Sequence, residues 1–312
     1  MQRIYVIHEN EAWLTPLRDS FLTRELPFDE WFIGDFPVAL DQRPPDGVFY
    51  NRMSASAHTR GNRFAPEFTG AVLSWLEGHG RRVVNGTRAL QLEVSKAAQY
   101  ASLNAFGIRT PRTVAATGAK NIIEASRVFG DGPVLLKPNR GGTGHGVQLF
   151  ESTEALRDVV GSGSYAEPID GITLLQQYIS SPEQYITRAE FIGGRFFYAV
   201  RVDTGGSFEL CPADPCAIGP NGSNEAQVPQ FTIVDRIHEH LLSRYEAFLA
   251  ANGIEIGAIE FVTSSAGETF TYDVNTNTNY NSAAESRADR YGMDAVAWFL
   301  GRELSALRAP AA

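Results

Sequence analysis

The run Val134-Leu135-Leu136-Lys137-Pro138-Asn139-Arg140-Gly141-Gly142-Thr143-Gly144-His145-Gly146-Val147 constrains the fold more than any other part of the chain. An apolar stretch of strand length carries a single lysine and passes directly into four glycines within six residues. Glycine tolerates the dihedrals and the close approach that let a loop turn its backbone N–H groups around phosphate oxygens. No Gly-Lys-Ser/Thr follows, and apolar strand pattern resumes at Val147, so the glycines form a hairpin flap and not a strand-to-helix phosphate loop. A lysine snorkelling to a sheet edge is the plainer reading of Lys137, and its place against the glycines favours phosphate contact. The loop Gly141, Gly142, Thr143, Gly144, His145 and Gly146 is the expected cover, with His145 a phosphate or substrate contact.

A second pattern lies far downstream. Glu260 is embedded in Ile256-Gly257-Ala258-Ile259-Glu260-Phe261-Val262, an apolar strand that reads as buried. Asp273 and Asn275, two apart on the next strand, share one face. Acids on strands are usually solvated, but a buried carboxylate without a partner is costly, so a metal or another cation is expected there. Two carboxylates and an amide oxygen are hard ligands suited to magnesium.

Length and composition set broad limits. A chain of 312 residues can bury a large core and hold two or three domains. Its 43% apolar and 20% charged residues are those of a globular protein. The net charge of −9 argues against a broad nucleic-acid surface. No stretch approaches the ~18 apolar residues of a membrane span, and the first residues lack a signal-peptide core, so a cytoplasmic protein is expected. Cys211 and Cys216 in a proline-rich loop are expected to be reduced thiols. Their neighbourhood does not complete a zinc ligand set.

Three units are expected: 1–87, 88–172 and 173–312. The first alternates short apolar runs at 4–8, 31–33, 48–51 and 83–85 with a helical pattern at 66–79, which suggests a small α/β domain with a mainly parallel sheet. The second opens with one helix over 88–106, stopped by Gly107, then strand Thr113–Ala116, helix 122–129, strand Val134–Pro138, the flap, strand 147–150 and helix 153–160. From Thr173 an antiparallel texture is expected, with strands 173–179, Tyr185–Ile192 and 195–202, and a turn at Gly193-Gly194. A long loop over 212–229 precedes a helix over 233–252, strands 255–262 and Thr269–Asn275, and a last helix over 288–304.

Arg188 and Arg201 lie on neighbouring strands. Arg201, within Phe197-Tyr198-Ala199-Val200-Arg201-Val202, is expected to face a phosphoryl or carboxylate group. The polar, cationic run 51–63 follows a strand end, where open α/β sheets commonly bind ligands. It makes Arg52, Arg60 and Arg63 candidate carboxylate binders, against a solvated loop. Asn277, Asn279 and Asn281 either bond an amino-acid substrate or cap a turn. His8, Glu9, Asn10 and Glu11 are weaker candidates for an ammonium group.

From Asp46 to Leu304 these pieces resemble the ATP-grasp superfamily, and within it the RimK-like glutamate and amino-acid ligases. The likeness is clearest from Ser95-Lys96-Ala97 through Gly107-Ile108-Arg109-Thr110-Pro111, and Asp46-Gly47-Val48-Phe49-Tyr50-Asn51-Arg52 resembles a family strand end. The resemblance implies an α/β (α+β) architecture, an ATP-grasp fold behind a small pre-ATP-grasp domain. It implies ATP held by Lys96 and Lys137, a hinge at Gln176, Gln177, Tyr178 and Ile179 meeting the adenine, and nucleotide contacts from Glu183 and Arg188. It further implies two Mg2+ ions on Glu260, Asp273 and Asn275, with Mn2+ able to substitute, and Arg201 and Lys137 as catalytic groups. Three departures stand out: Gln177 replaces a hinge glutamate, Ile186 an aspartate, and Asp273 a metal-binding glutamate.

The implied activity is ADP-forming ligation of a carboxylate to an amine through an acyl phosphate, on an amino acid or small peptide. Nucleic acid and membrane are not expected partners; a homodimer or higher oligomer is common for the fold. Alternatives are an intramolecular cyclo-ligase, a peptide-tailoring maturase, a small-molecule kinase and a non-catalytic nucleotide-binding regulator.

Overall fold

In a computed structural model, the structure describes residues 2–142, 144–182, 185–203 and 231–308. Three sheets carry the architecture. The N-terminal one is parallel, in the order β2-β1-β3-β4, from β1 (Arg3–His8), β2 (Phe28–Phe32), β3 (Gly47–Asn51) and β4 (Arg82–Val84). Helix α1 (Glu11–Thr23) follows β1, capped by the Asn10 side chain, and α2 (Ala65–Gly78) precedes β4. Apolar residues of the two sheet faces are buried separately: Tyr5, Ile7 and Phe49 under α2, and Ile4, Val6 and Val48 against α1 and the last helix. All strand carboxyl ends therefore lie along one edge of this sheet.

Where one helix is expected over 88–106, there are two, α3 (Thr87–Glu93) and α4 (Lys96–Ala105). Ser95 breaks them: its backbone is extended, and its side chain accepts from the Ala98 N–H as an N-cap. The break places Lys96 at the head of α4. The middle sheet runs β5-β8-β6-β7, from β5 (Thr113–Ala116), β6 (Val134–Pro138), β7 (Gln148–Phe150) and β8 (Thr173–Gln177), with α5 (Gly118–Ser126) and α6 (Thr153–Gly161) on one face. Strand β8, expected with the C-terminal unit, fills the gap between β5 and β6 through antiparallel pairs to both. Sheet membership thus crosses the expected 172/173 boundary.

The third sheet, β11-β10-β9-β12-β13, is antiparallel: β9 (Tyr185–Ile192), β10 (Arg195–Asp203), β11 (Phe231–Val234), β12 (Ile256–Thr263) and β13 (Thr269–Asn275). The helix expected over 233–252 is instead β11 followed by α7 (Glu239–Ala251). The aromatic and β-branched run Phe231-Thr232-Ile233-Val234 pairs with β10 and so satisfies that edge. The helix expected over 288–304 is α9 (Gly292–Arg308), preceded by an additional helix, α8 (Ser282–Ala288), that ends at Asp289 in a left-handed conformation. Asn85, fully buried, joins the N-terminal domain to this sheet: its amide donates to the Ile256 and Thr276 carbonyls and accepts from the Glu255 and Ile256 N–H groups. Among the described residues no helix is long and apolar enough to cross a membrane. The loop over 212–229, which contains Cys216 and follows Cys211, lies outside the described residues with both cysteines.

Candidate active site

Pairing register brings the expected acids together. Glu260 stands opposite Asp273 on β13 and opposite Arg188 on β9, so Asp273, Glu260 and Arg188 form one cross-strand row on one face. Asn275 and Glu190 lie in the next row, flanking Ala258. A β-bulge assists: Phe261 pairs with Thr271, so Tyr272 is an extra residue and Asp273 is turned onto the row of Glu260. Glu260 accepts from Arg188 Nη1 at 3.0 Å and from the Asn275 amide at 3.1 Å. Burial raises its pKa, and Arg188 opposes that rise.

Two lysines arrive from other elements. Lys96, at the first position of α4, pairs with Asp273 at 2.5 Å. Lys137, on β6, is buried and donates to the Tyr100 hydroxyl, which donates to the Tyr272 carbonyl at 2.7 Å. Burial and the charge of Lys96 push Lys137 down to about 7. The flap leaves β6 through Asn139, whose side chain accepts from the Ala97 N–H at 2.8 Å and donates to Asp170 at 2.7 Å. Asn139 thereby locks the start of the flap to the head of α4. Gly144 and Gly146 have φ of +76° and +78°, which other residues adopt only with strain. Gly142 packs against Ser56 of the N-terminal domain, 3.5 Å from where a Cβ would stand. His145 is exposed, and Thr143 and Glu183 lie outside the described residues.

At the expected hinge, Gln176 is buried and donates to Thr113 at 2.8 Å, while Gln177 is exposed and accepts from the Arg112 N–H at 3.3 Å. Tyr178 and Ile179 are half-buried.

The arginines divide. Arg188 is spent inside the protein: Nε donates to Glu190 at 2.6 Å, Nη1 to Glu260, and Nη2 to Thr278 at 2.6 Å. Burial works against its charge, but Glu190 and Glu260 hold it protonated. It orders the acids. Arg201 pairs with Thr187, which pairs with Phe261 in turn, placing it on the face opposite Glu260 and Asp273. It is exposed and stacks on Tyr185 at 4.8 Å. Strand alternation thus keeps Arg201 apart from the acid row: one residue of register separates the two faces.

The N-terminal sheet faces this cluster with its carboxyl ends. Arg52, buried at 3% exposure, donates among the described residues only to neutral groups, the Thr278 carbonyl at 3.3 Å and Asn279 at 2.5 Å, with Met293 sulfur at 3.6 Å. Neighbouring His8 is also buried, with Nε2 3.9 Å from the Glu30 carboxylate; among the described residues Asn277 Oδ1 and the Tyr280 hydroxyl have no hydrogen-bond partner. Burial lowers the pKa of His8. Arg60, by contrast, is matched by buried Glu9, and Arg63 is exposed and stacked on Phe64 at 5.5 Å.

Sequence reasoning missed Glu190, Asn139 and Glu93. Glu190 had a usable signal, since it alternates with Arg188 on a strand as apolar as that of Glu260. Asn139 and Glu93 act through backbone groups distant in sequence, which no local pattern reveals.

The oxygen donors suit a hard divalent ion. Among the described residues no three His, Cys, Asp or Glu side chains surround one point. Two carboxylates and the Asn275 carbonyl oxygen, left as an acceptor while its N–H serves Glu260, match an ion that completes its shell with water and phosphate. The present partners of the acids, Arg188 and Lys96, show that positive charge is favoured there.

No protein-family model and no curated protein matches the sequence. Solved structures do. A RimK-domain ATP-grasp protein from Sphaerobacter thermophilus superposes with a TM-score of 0.65 at 18% identity, over 96% of this chain and 99% of that one. The ATP-grasp ligase PsnB, complexed with a minimal precursor, gives 0.70 at 16% identity, over 99% and 100%. D-alanyl-alanine synthetase A from Vibrio cholerae gives 0.66 at 12% identity, over 97% and 98%. The chain has the ATP-grasp fold.

Proposed function

We propose that this ATP-grasp chain is an ADP-forming ligase that joins a carboxylate to an amine through an acyl phosphate, on an amino acid or small peptide. One observation carries the reading: Lys96 and Lys137 converge from separate elements on the Asp273–Glu260 row, beside a glycine flap. The PsnB neighbour has been captured with Mg, ADP and a precursor variant, which supports ATP and Mg2+ as the cofactor pair.

In this reading Glu260, Asp273 and Asn275 hold Mg2+, which supplies charge neutralisation at the phosphates. Lys96 exchanges Asp273 for phosphate oxygens, and Lys137 gains a full charge once phosphate replaces its apolar surroundings. A substrate carboxylate oxygen bonds to the γ-phosphorus as the bond to ADP breaks. The flap excludes water from the acyl phosphate. The amine nitrogen then bonds to the acyl carbon, phosphate leaves, and the amine gives up its proton. Arg52 orients the carboxylate substrate. Among the described residues it is a buried cation with neutral partners only, beside the unsatisfied Asn277 Oδ1, an arrangement suited to an anion.

A peptide-tailoring ligase is the second reading, favoured by the PsnB likeness. ADP release from Mg·ATP, measured against amino acids, dipeptides and longer peptides with and without hydroxylamine, tests both. Substrate-dependent ADP with hydroxamate is expected. ADP without hydroxamate points to a kinase and sinks the ligase reading.

A further inference from the structure

Glu93 closes α3 three residues before Lys96 and is buried at 9% exposure. Among the described residues it has no cation within ion-pair distance, an arrangement that is costly unless its oxygens are otherwise satisfied. They are, by donors from two distant segments. Oε1 accepts from the Ala55 N–H at 3.2 Å, and Oε2 from the Thr276 N–H at 2.7 Å and the Thr276 hydroxyl at 3.2 Å. Thr276 follows Asn275, the last residue of the acid-bearing strand. Ala55 lies in the N-terminal domain's loop between Arg52 and the 3-10 turn Ala57–Arg60, and its neighbour Ser56 backs Gly142 of the flap.

A purely structural bolt between α4 and β13 already exists. Gln99 donates to the Val274 carbonyl at 2.7 Å and accepts from the Val274 N–H at 3.0 Å. Glu93 adds the link that Gln99 lacks, from the strand exit to the N-terminal loop.

We propose that Glu93 is a positioning residue that couples the acid-bearing strand to the loop at residues 54–60, so that nucleotide and metal bound at Asp273 and Asn275 order the loop that presents Arg52. This rests on the ligase reading above. Only a carboxylate can serve both sides, because each of its oxygens accepts. In Glu93→Gln one oxygen becomes an NH2 that faces a backbone N–H, and one side of the bridge fails.

The test is hydrogen exchange of the peptide spanning residues 53–61, with and without Mg·ADP, alongside calorimetry of Mg·ADP binding. In the wild type, Mg·ADP is expected to slow exchange in this peptide. In Glu93→Gln the peptide is expected to exchange about tenfold faster, the loss of one charge-assisted hydrogen bond, and Mg·ADP no longer slows it. The peptide over residues 97–105 serves as the control for an intact α4, which Gln99 holds. Should Glu93→Gln loosen α4 as well, Thr276→Val decides. It removes only the hydroxyl bond and is expected to speed the loop about threefold. Variants whose loops exchange and respond to Mg·ADP as the wild type does overturn the coupling. A wild type that binds no Mg·ADP overturns the ligase reading, and the coupling with it.

Discussion

The C-terminal sheet and the carboxyl edge of the N-terminal sheet both bury charged side chains at the same junction, but they treat them differently. On the C-terminal side every charge is answered: Arg188 lies between Glu190 and Glu260, and Lys96 pairs with Asp273. On the N-terminal side Arg60 and Glu9 cancel, while among the described residues Arg52 touches only neutral acceptors and His8 lies 3.9 Å from the Glu30 carboxylate. Desolvation explains why this matters. A matched cluster holds its geometry in the absence of ligand, whereas an unmatched buried cation is tolerated chiefly where an anion will meet it. Under the proposed function the first region is the phosphate and metal site and the second the recognition site.

Breaking the matched side should cost most. Asp273→Asn removes a metal ligand and the partner of Lys96, and is expected to lower ADP formation roughly a thousandfold with the thermal midpoint little changed. Turnover near the wild-type rate would falsify the metal assignment. On the unmatched side, Arg52→Met should raise KM for the carboxylate substrate between about ten- and a hundredfold, with Mg·ADP affinity retained. Equal losses in both would show that the two regions are not functionally separate.

Lys137 sharpens the contrast through pH. Its folded pKa is about 7, against 10.5 for an ordinary lysine. Between those values the unfolded chain holds the proton and the folded one does not. Stability therefore rises with pH across that window, and the burial penalty is fullest below about 7. Phosphate binding restores the charge, so Mg·ADP binding should take up a proton at pH 8 and almost none at pH 6. Calorimetry in buffers of different ionisation enthalpy reads this directly, and Lys137→Met should abolish the uptake. The smallest effect is expected from Arg201→Met, less than about twofold in kcat/KM, since this exposed arginine faces away from the acids. A large loss would return Arg201 to the catalytic group and contradict the strand register.

Much of this was legible in the chain. Lys137 before four glycines, and Glu260 two strands' reach from Asp273 and Asn275, announced themselves because each rests on local alternation or local glycine content. Arg188 and Arg201 show where local reading stops. Both looked alike as arginines on apolar strands, and only pairing with Thr187 or with Val200 assigns their faces. Helices 88–106 and 233–252 failed for a related reason. Their apolar spacing was helical throughout, and the Ser95 cap and the pairing of β11 with β10 overrode it.

The amino-acid sequence by itself determined the ingredients: a glycine flap behind a lysine strand, a glutamate in an apolar strand with an acid and an amide at period-two spacing on the next, and an arginine-rich loop at a strand end. These are properties of short windows, set by backbone conformation and side-chain alternation. Tertiary structure alone decided which charges neutralise one another, leaving Arg52 without a counter-ion among the described residues while Arg60 met Glu9 and Arg188 met two glutamates. Ion pairing in a desolvated interior acts over a few ångströms of space between residues tens to hundreds of positions apart, so only the packed chain can set it.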